Sequence, residues 1–148
     1  MNHENCGNNE SATRVRDEKM GQTNESNSKV RSHKQRIGQA GEDYAAKFLS
    51  EAGLIIIQRN YRCPKGEIDI IAQDQQDLVF VEVRTRSSAV NGWGEESISR
   101  TKHQRLLAVA SYYVMEQHFK EWPQLRFDLM ALRWQAEKPL CNWLKAIF

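Results

Sequence analysis

From residue 37 onward, stretches with a helical spacing of apolar side chains give way in turn to stretches with a strand-like spacing. Ile37, Ala40, Gly41, Tyr44, Ala45, Phe48, Leu49 and Ala52 recur at intervals of three and four, the stripe of an amphipathic helix. Gly53 follows where a left-handed C-terminal cap belongs. Residues 54–58 are rich in isoleucine and predict a short buried strand, which Cys63-Pro64-Lys65-Gly66 breaks and turns. Residues 67–73 alternate, with Ile68, Ile70 and Ala72 on one face and Glu67, Asp69 and Ile71 on the other. Beyond a polar turn at 74–77, residues 78–85 form the third strand. Its opening Leu-Val-Phe-Val is apolar on both faces, which places it centrally in a sheet.

Ser99 is a plausible N-cap for a second helix over about 100–118, whose inner stripe is Leu106, Val109, Ala110, Tyr113 and Val114. Its first turns carry Arg100, Lys102, His103 and Arg105. Positive charge there opposes the helix macrodipole, a small cost that hints at function. Trp122-Pro123 ends the helical region, and 125–133 alternates as a fourth strand with Leu125, Phe127 and Leu129 opposite Arg126 and Asp128. The last stretch reads as a strand end followed by a short helix carrying Trp143, Leu144, Ile147 and Phe148. Residues 86–94 read as a loop, in which Gly92-Trp93-Gly94 either presents the indole or closes a turn. The expected class is α/β, a central mixed sheet flanked by helices.

Composition divides the chain. Residues 1–35 hold six Asn and only scattered apolar residues, too few to offset the entropy of ordering, so they read as a disordered polar tail. Residues 36–148 are then one α/β domain. Within it 15 Lys and Arg face 14 Asp and Glu, so a nucleic-acid partner would have to be held by a local basic patch rather than by bulk charge. Three widely spaced cysteines without a Cys-x-x-Cys pair indicate neither a disulfide framework nor a zinc knuckle. No apolar run approaches the ~18–20 residues of a membrane span, and no secretory signal opens the chain. The expected setting is the cytoplasm, away from membranes.

The chemistry concentrates between Gly66 and Arg86. Alternation puts Glu82 and Arg84 on one face of the third strand, and a hairpin sets Asp69 beside Glu82. Converging carboxylates suit a hard divalent cation such as Mg²⁺, which keeps waters and leaves room for phosphate oxygens. Charged strand residues are mostly solvated surface groups. Against that stands the apolar host strand, where unneutralised carboxylates are expensive.

Gly66-Glu67-Ile68-Asp69, Phe80-Val81-Glu82-Val83-Arg84 and Lys102 at a helix opening resemble the YraN-type family of small bacterial proteins. That family resembles the PD-(D/E)XK, or restriction-endonuclease-like, nuclease superfamily, archaeal Holliday-junction resolvases included. The likeness runs from about Ile37 to the C-terminus. It implies a restriction-endonuclease-like core of helix, three strands, helix and strand. Asp69 and Glu82 would be metal ligands for Mg²⁺ or Mn²⁺, with the Val83 carbonyl completing the set and Glu42 as a further helix acid; a surface glutamate is the alternative for Glu42. Asp69, Glu82 and Arg84 would be the catalytic group. Arg86, Arg100, Lys102 and Arg105 would bind nucleic acid, with a solvated lysine the alternative at Lys102. The superfamily expects lysine where Arg84 stands, and an arginine stays charged and cannot act as a general base. Lys65 and Lys102 are candidates for the missing ammonium.

Two functions are therefore expected: a metal-dependent nuclease acting on DNA, branched or structured DNA included, or a non-catalytic nucleic-acid-binding module of the same fold. A third, an interaction domain using Trp93, Trp134 and Trp143, ranks below them because tryptophan is on average highly buried.

Overall fold

The computed structural model describes residues 32–86, 98–135 and 138–148. Most of the expected polar tail (1–31) and most of the expected loop, with Trp93, lie outside that range. The elements are α1 (His33–Glu51), β1 (Ile55–Cys63), β2 (Gly66–Asp74), β3 (Asp77–Arg86), α2 (Arg100–Glu116), β4 (Gln124–Gln135) and β5 (Lys138–Leu144). The strands form a single sheet in the order β1-β2-β3-β4-β5. It is antiparallel throughout except for β3 and β4, which run parallel and are joined by the crossover through α2, as parallel neighbours require. The expected α/β class with a central mixed sheet flanked by helices holds.

Both ends of α1 are set by local chemistry. The Gln35 N–H donates to Ser32 Oγ at 3.3 Å and the Ser32 N–H donates to Gln35 Oε1 at 2.9 Å, a reciprocal capping box. It starts the helix at His33, inside the stretch read from composition as tail. At the other end the Leu54 N–H donates to the Leu49 carbonyl and the Gly53 N–H to the Ser50 carbonyl, with Gly53 at φ +97°. These two bonds satisfy carbonyls the helix leaves open, and the left-handed turn they need suits glycine.

Central β3 splits the core. Leu78 and Phe80 pack under α2 with Val109, Ala110 and Tyr113, while Val79 and Val81 pack under α1 with Ala45, Leu49 and Met130. Phe80 stacks on Phe127 with ring centroids 5.5 Å apart and meets Tyr113 edge-on at 5.9 Å. Burial on both faces explains why this strand reads as a continuous apolar run.

Three elements depart from the expectation. Residues 54–58 are not a short buried strand: β1 reaches Cys63, and Ile55 and Ile57 are 68% and 45% exposed. β1 is an edge strand, and its register shifts between Ile56 and Gln58, a bulge that turns side chains out of the ladder. Ile68 does not share a face with Ile70 and Ala72. It packs in the α2-side cluster with Ile71, while Ile70 and Ala72 pack on the α1 side. The C-terminal segment forms β5 rather than a helix, because β4 offers it an open edge and Asp128 holds it there.

Asp128 is fully buried. It accepts from Arg126 Nε and Nη2, from Trp143 Nε1 at 3.0 Å and from the Ala146 N–H at 3.0 Å. Arg126 in turn reaches Asp74 at 2.8 Å and Asp77 at 3.2 Å. The network ties the β2–β3 turn, β4 and the C-terminus together. Among the described residues no helix is long and apolar enough to cross a membrane.

Asp128→Ala leaves the Trp143 and Ala146 N–H donors without an acceptor and removes one of the three carboxylates around Arg126, and is expected to destabilise the fold by roughly 3 kcal/mol. Urea denaturation measures this, and an unchanged midpoint would contradict the network's structural role.

Candidate active site

The site begins where two strands part. The β2–β3 ladder runs from Asp74 opposite Asp77 to Ile70 opposite Val81 and stops there. Beyond that point β2 stays with β1 as far as Gly66 opposite Cys63, and β3 stays with β4 as far as Arg86 opposite Arg133. The sheet therefore opens between them. The Val83 N–H, left without a ladder partner on β2, donates to Asp69 Oδ2 at 2.7 Å. A side-chain carboxylate takes the place of a strand carbonyl, since a buried N–H needs an acceptor.

Glu82 lies next to this opening. It continues the alternation of Leu78 and Phe80 toward α2, and Lys102 Nζ sits 2.8 Å from its Oε1. The two side chains are 31% (Lys102) and 16% (Glu82) exposed. Lys102 is placed by the start of α2, where its N–H donates to the Ser99 hydroxyl, so the expected N-cap fixes the ammonium's position. Lys102 is thus not an isolated solvated lysine.

Glu42 comes from the other face. Its neighbour Gly41 is buried, and a Cβ added there would stand 2.0 Å from Thr85 Oγ1. Only glycine lets α1 approach β3 this closely, and the approach brings Glu42 down to the sheet. Glu42 Oε2 is buried without a hydrogen-bond partner. The side chain lines a polar cleft of about 500 Å³ with Gln35, Gly38 and Gln39 of α1 and Asn60 and Arg62 of β1.

Burial raises the Asp69 carboxyl from 3.8 to about 6, and the charges of Glu82 and Glu42 add to the rise. The Val83 N–H and the Lys102 ammonium act in the opposite sense. Asp69 thus feels the charges of both Glu82 and Glu42, and Glu82 is itself in contact with the Lys102 ammonium. Among the described residues no three His, Cys, Asp or Glu side chains are grouped closely enough to hold a metal ion as they stand. The acid groups here carry oxygen donors, the kind that hard divalent cations prefer, and Glu42 Oε2 is without a hydrogen-bond partner.

The other expected residues are spread more widely. Arg84 is half-buried one alternation beyond Glu82, and Arg86 is exposed at the end of β3. Arg100 is exposed at the start of α2. Arg105, also exposed, runs against Gly66, where an added Cβ would meet its Nε at 2.9 Å. Lys65 is exposed in the turn before β2. Trp143 donates to Asp128 and is structural. The cleft residues Gln35, Gln39, Asn60 and Arg62 were not legible as a group. Asn60 has φ +52° and stands opposite Asp69, and asparagine's tolerance of left-handed backbone is the one signal it carries.

Residues 41–132 match the model of the uncharacterised protein family UPF0102, the family named above as YraN-type. A UPF0102 protein of Desulfitobacterium hafniense is 48% identical over 118 residues, which cover 78% of this chain and 98% of that protein. One from Nocardia farcinica is 42% identical over 116 residues, covering 78% of this chain and 91% of its own. Among solved structures, Pyrococcus furiosus SfsA in complex with Ca²⁺ is similar at 16% identity and a TM-score of 0.31, over 74% of this chain and 62% of that one.

Two outcomes are expected of this geometry. Alanine normally outranks glycine in a helix by up to ~1 kcal/mol, but Gly41→Ala is expected to destabilise by roughly 1–3 kcal/mol through overpacking. Adding Thr85→Ala, which removes the clashing hydroxyl, is expected to recover most of that loss in urea denaturation. Independent, additive effects would contradict the contact. For Asp69, the folded state holds the proton more tightly than the unfolded one, so its contribution to stability falls as pH rises from about 4 through about 6. Asp69→Asn is expected to be more stable than the natural chain near pH 7.5, by up to ~3 kcal/mol, and equal to it near pH 4. A variant less stable at both pH values would contradict the strain at this carboxylate.

Proposed function

The chain belongs to the uncharacterised protein family UPF0102, and we propose that within it this protein is a metal-dependent nuclease acting on DNA, branched or structured forms included. The observation that carries the proposal is the parting of β2 and β3, with Asp69 held in the opening, its carboxyl raised to about 6, and Glu42 and Glu82 close enough to raise it.

Glu42, Asp69 and Glu82 would hold Mg²⁺ or Mn²⁺, with the Val83 carbonyl as a further oxygen donor. Such an ion supplies Lewis-acid polarisation of a phosphoryl group and acidifies water. The chain's own residues do the rest. The Val83 N–H orients Asp69, fixing which carboxylate oxygen stays free. Arg84, always charged, grips a phosphate and stabilises the charge that develops on it, but takes no proton. Lys102 offers a second positive group beside Glu82. Arg86, Arg100 and Arg105 are exposed and would bind the backbone on either side, making affinity fall with salt.

One observation favours the second reading, a nucleic-acid-binding module without turnover. Lys102 already sits on Glu82, so part of the acid group has a counter-ion and the ensemble can stand as a structural ion pair.

Cleavage of junction, flap, single-stranded and duplex DNA with Mg²⁺ or Mn²⁺ tests the proposal. The natural chain is expected to cut at least one of these substrates, and Asp69→Ala to lose at least ~100-fold in rate, the scale of removing a metal ligand or its support. Binding without cutting, unchanged by Asp69→Ala, would leave the binding module.

A further inference from the structure

On the side of α1 away from the acidic cleft lies a second hollow, about 390 Å³, with Tyr44, Phe48, Trp134 and Pro139 among its walls and Lys47, Glu51 and Lys138 also lining it. Its aromatic wall is held from behind. Trp143, fixed by Asp128, meets Phe48 edge-on at 6.2 Å, and Phe48 stacks on Tyr44 at 6.3 Å. The Trp134 indole N–H is buried and has no acceptor. Lys47 is tied only loosely, to Glu51 at 3.7 Å, with both side chains well exposed. Trp134 also borders a further hollow, of about 490 Å³, lined in part by His33 and Arg36.

A slot walled by preset aromatic rings, with two lysines and one glutamate also lining it, suits a planar heterocycle that carries an attached anion. We infer that this slot takes one unpaired base of a nucleic-acid strand, with the adjoining phosphates at Lys47 and Lys138. Residues two apart on a helix point to nearly opposite sides, so Glu42 and Tyr44 put the acidic cleft and the slot on the two flanks of α1. The first turn between those flanks exposes His33, Lys34 and Arg36, a basic bridge for a strand crossing the helix. The inference rests on the nucleic-acid part of the proposed function and is independent of hydrolysis.

Fluorescence anisotropy in metal-free buffer, with a labelled thymidylate oligonucleotide and an abasic strand of equal length, tests it. The natural chain is expected to bind the base-bearing strand about tenfold tighter, the size of one stacking contact. Trp134→Ala is expected to erase that difference, and Lys138→Glu to weaken both strands alike. Tyr44→Leu, which keeps the helix face apolar, is expected to shrink the preference and serves if Trp134→Ala does not fold. Equal binding of the two strands by the natural chain, or a preference that survives these wall substitutions, overturns the slot while leaving nucleic-acid binding intact. No binding of either strand overturns both.

Discussion

The structure turns on one exchanged hydrogen bond. At Val83 the acceptor that a neighbouring strand would supply is replaced by the Asp69 carboxylate, 2.7 Å from the amide. Because that bond is made by a side chain, β2 and β3 are free to separate beyond Ile70 and Val81 while each keeps its outer partner. The opening is thereby backed by two rigid strand pairs. On β2, Ile68 and Ile70 flank the Asp69 carboxylate and face opposite layers.

Two helices then close on the opening from opposite faces, each by one local device. Gly41 removes the Cβ that would collide with Thr85, and Glu42 follows it inward. Ser99 caps α2, and Lys102 follows it toward Glu82. Carboxylates brought together at a half-buried place are costly, because burial disfavours their charged form. Burial raises the Asp69 carboxyl, the charges of Glu82 and Glu42 add to the rise, and Glu42 Oε2 is buried without a hydrogen-bond partner. The fold tolerates that cost because the network around Asp128 and the doubly buried β3 secure the sheet elsewhere.

What was legible in the sequence is what periodicity and local chemistry control. The two-faced apolar run of β3 and the stripe and Ser99 cap of α2 follow from side-chain spacing and local chemistry. The exposure of β1 did not follow, because an isoleucine-rich run reads alike in a buried and an edge strand, and its bulge has no residue signature. β5 was hidden because its place depends on a long-range bond between Trp143 and Asp128. The partner of Lys102 and the cleft around Glu42 are likewise products of tertiary packing. Neither leaves a trace in spacing along the chain.

The proposed metal site at the opening is the central claim, and titration calorimetry with Mg²⁺ or Mn²⁺ tests it most directly. The expected result is one divalent ion bound per natural chain, with binding lost in Asp69→Asn and weakened in Glu42→Gln. Absence of binding to the natural chain, or equal binding by all three, would contradict it.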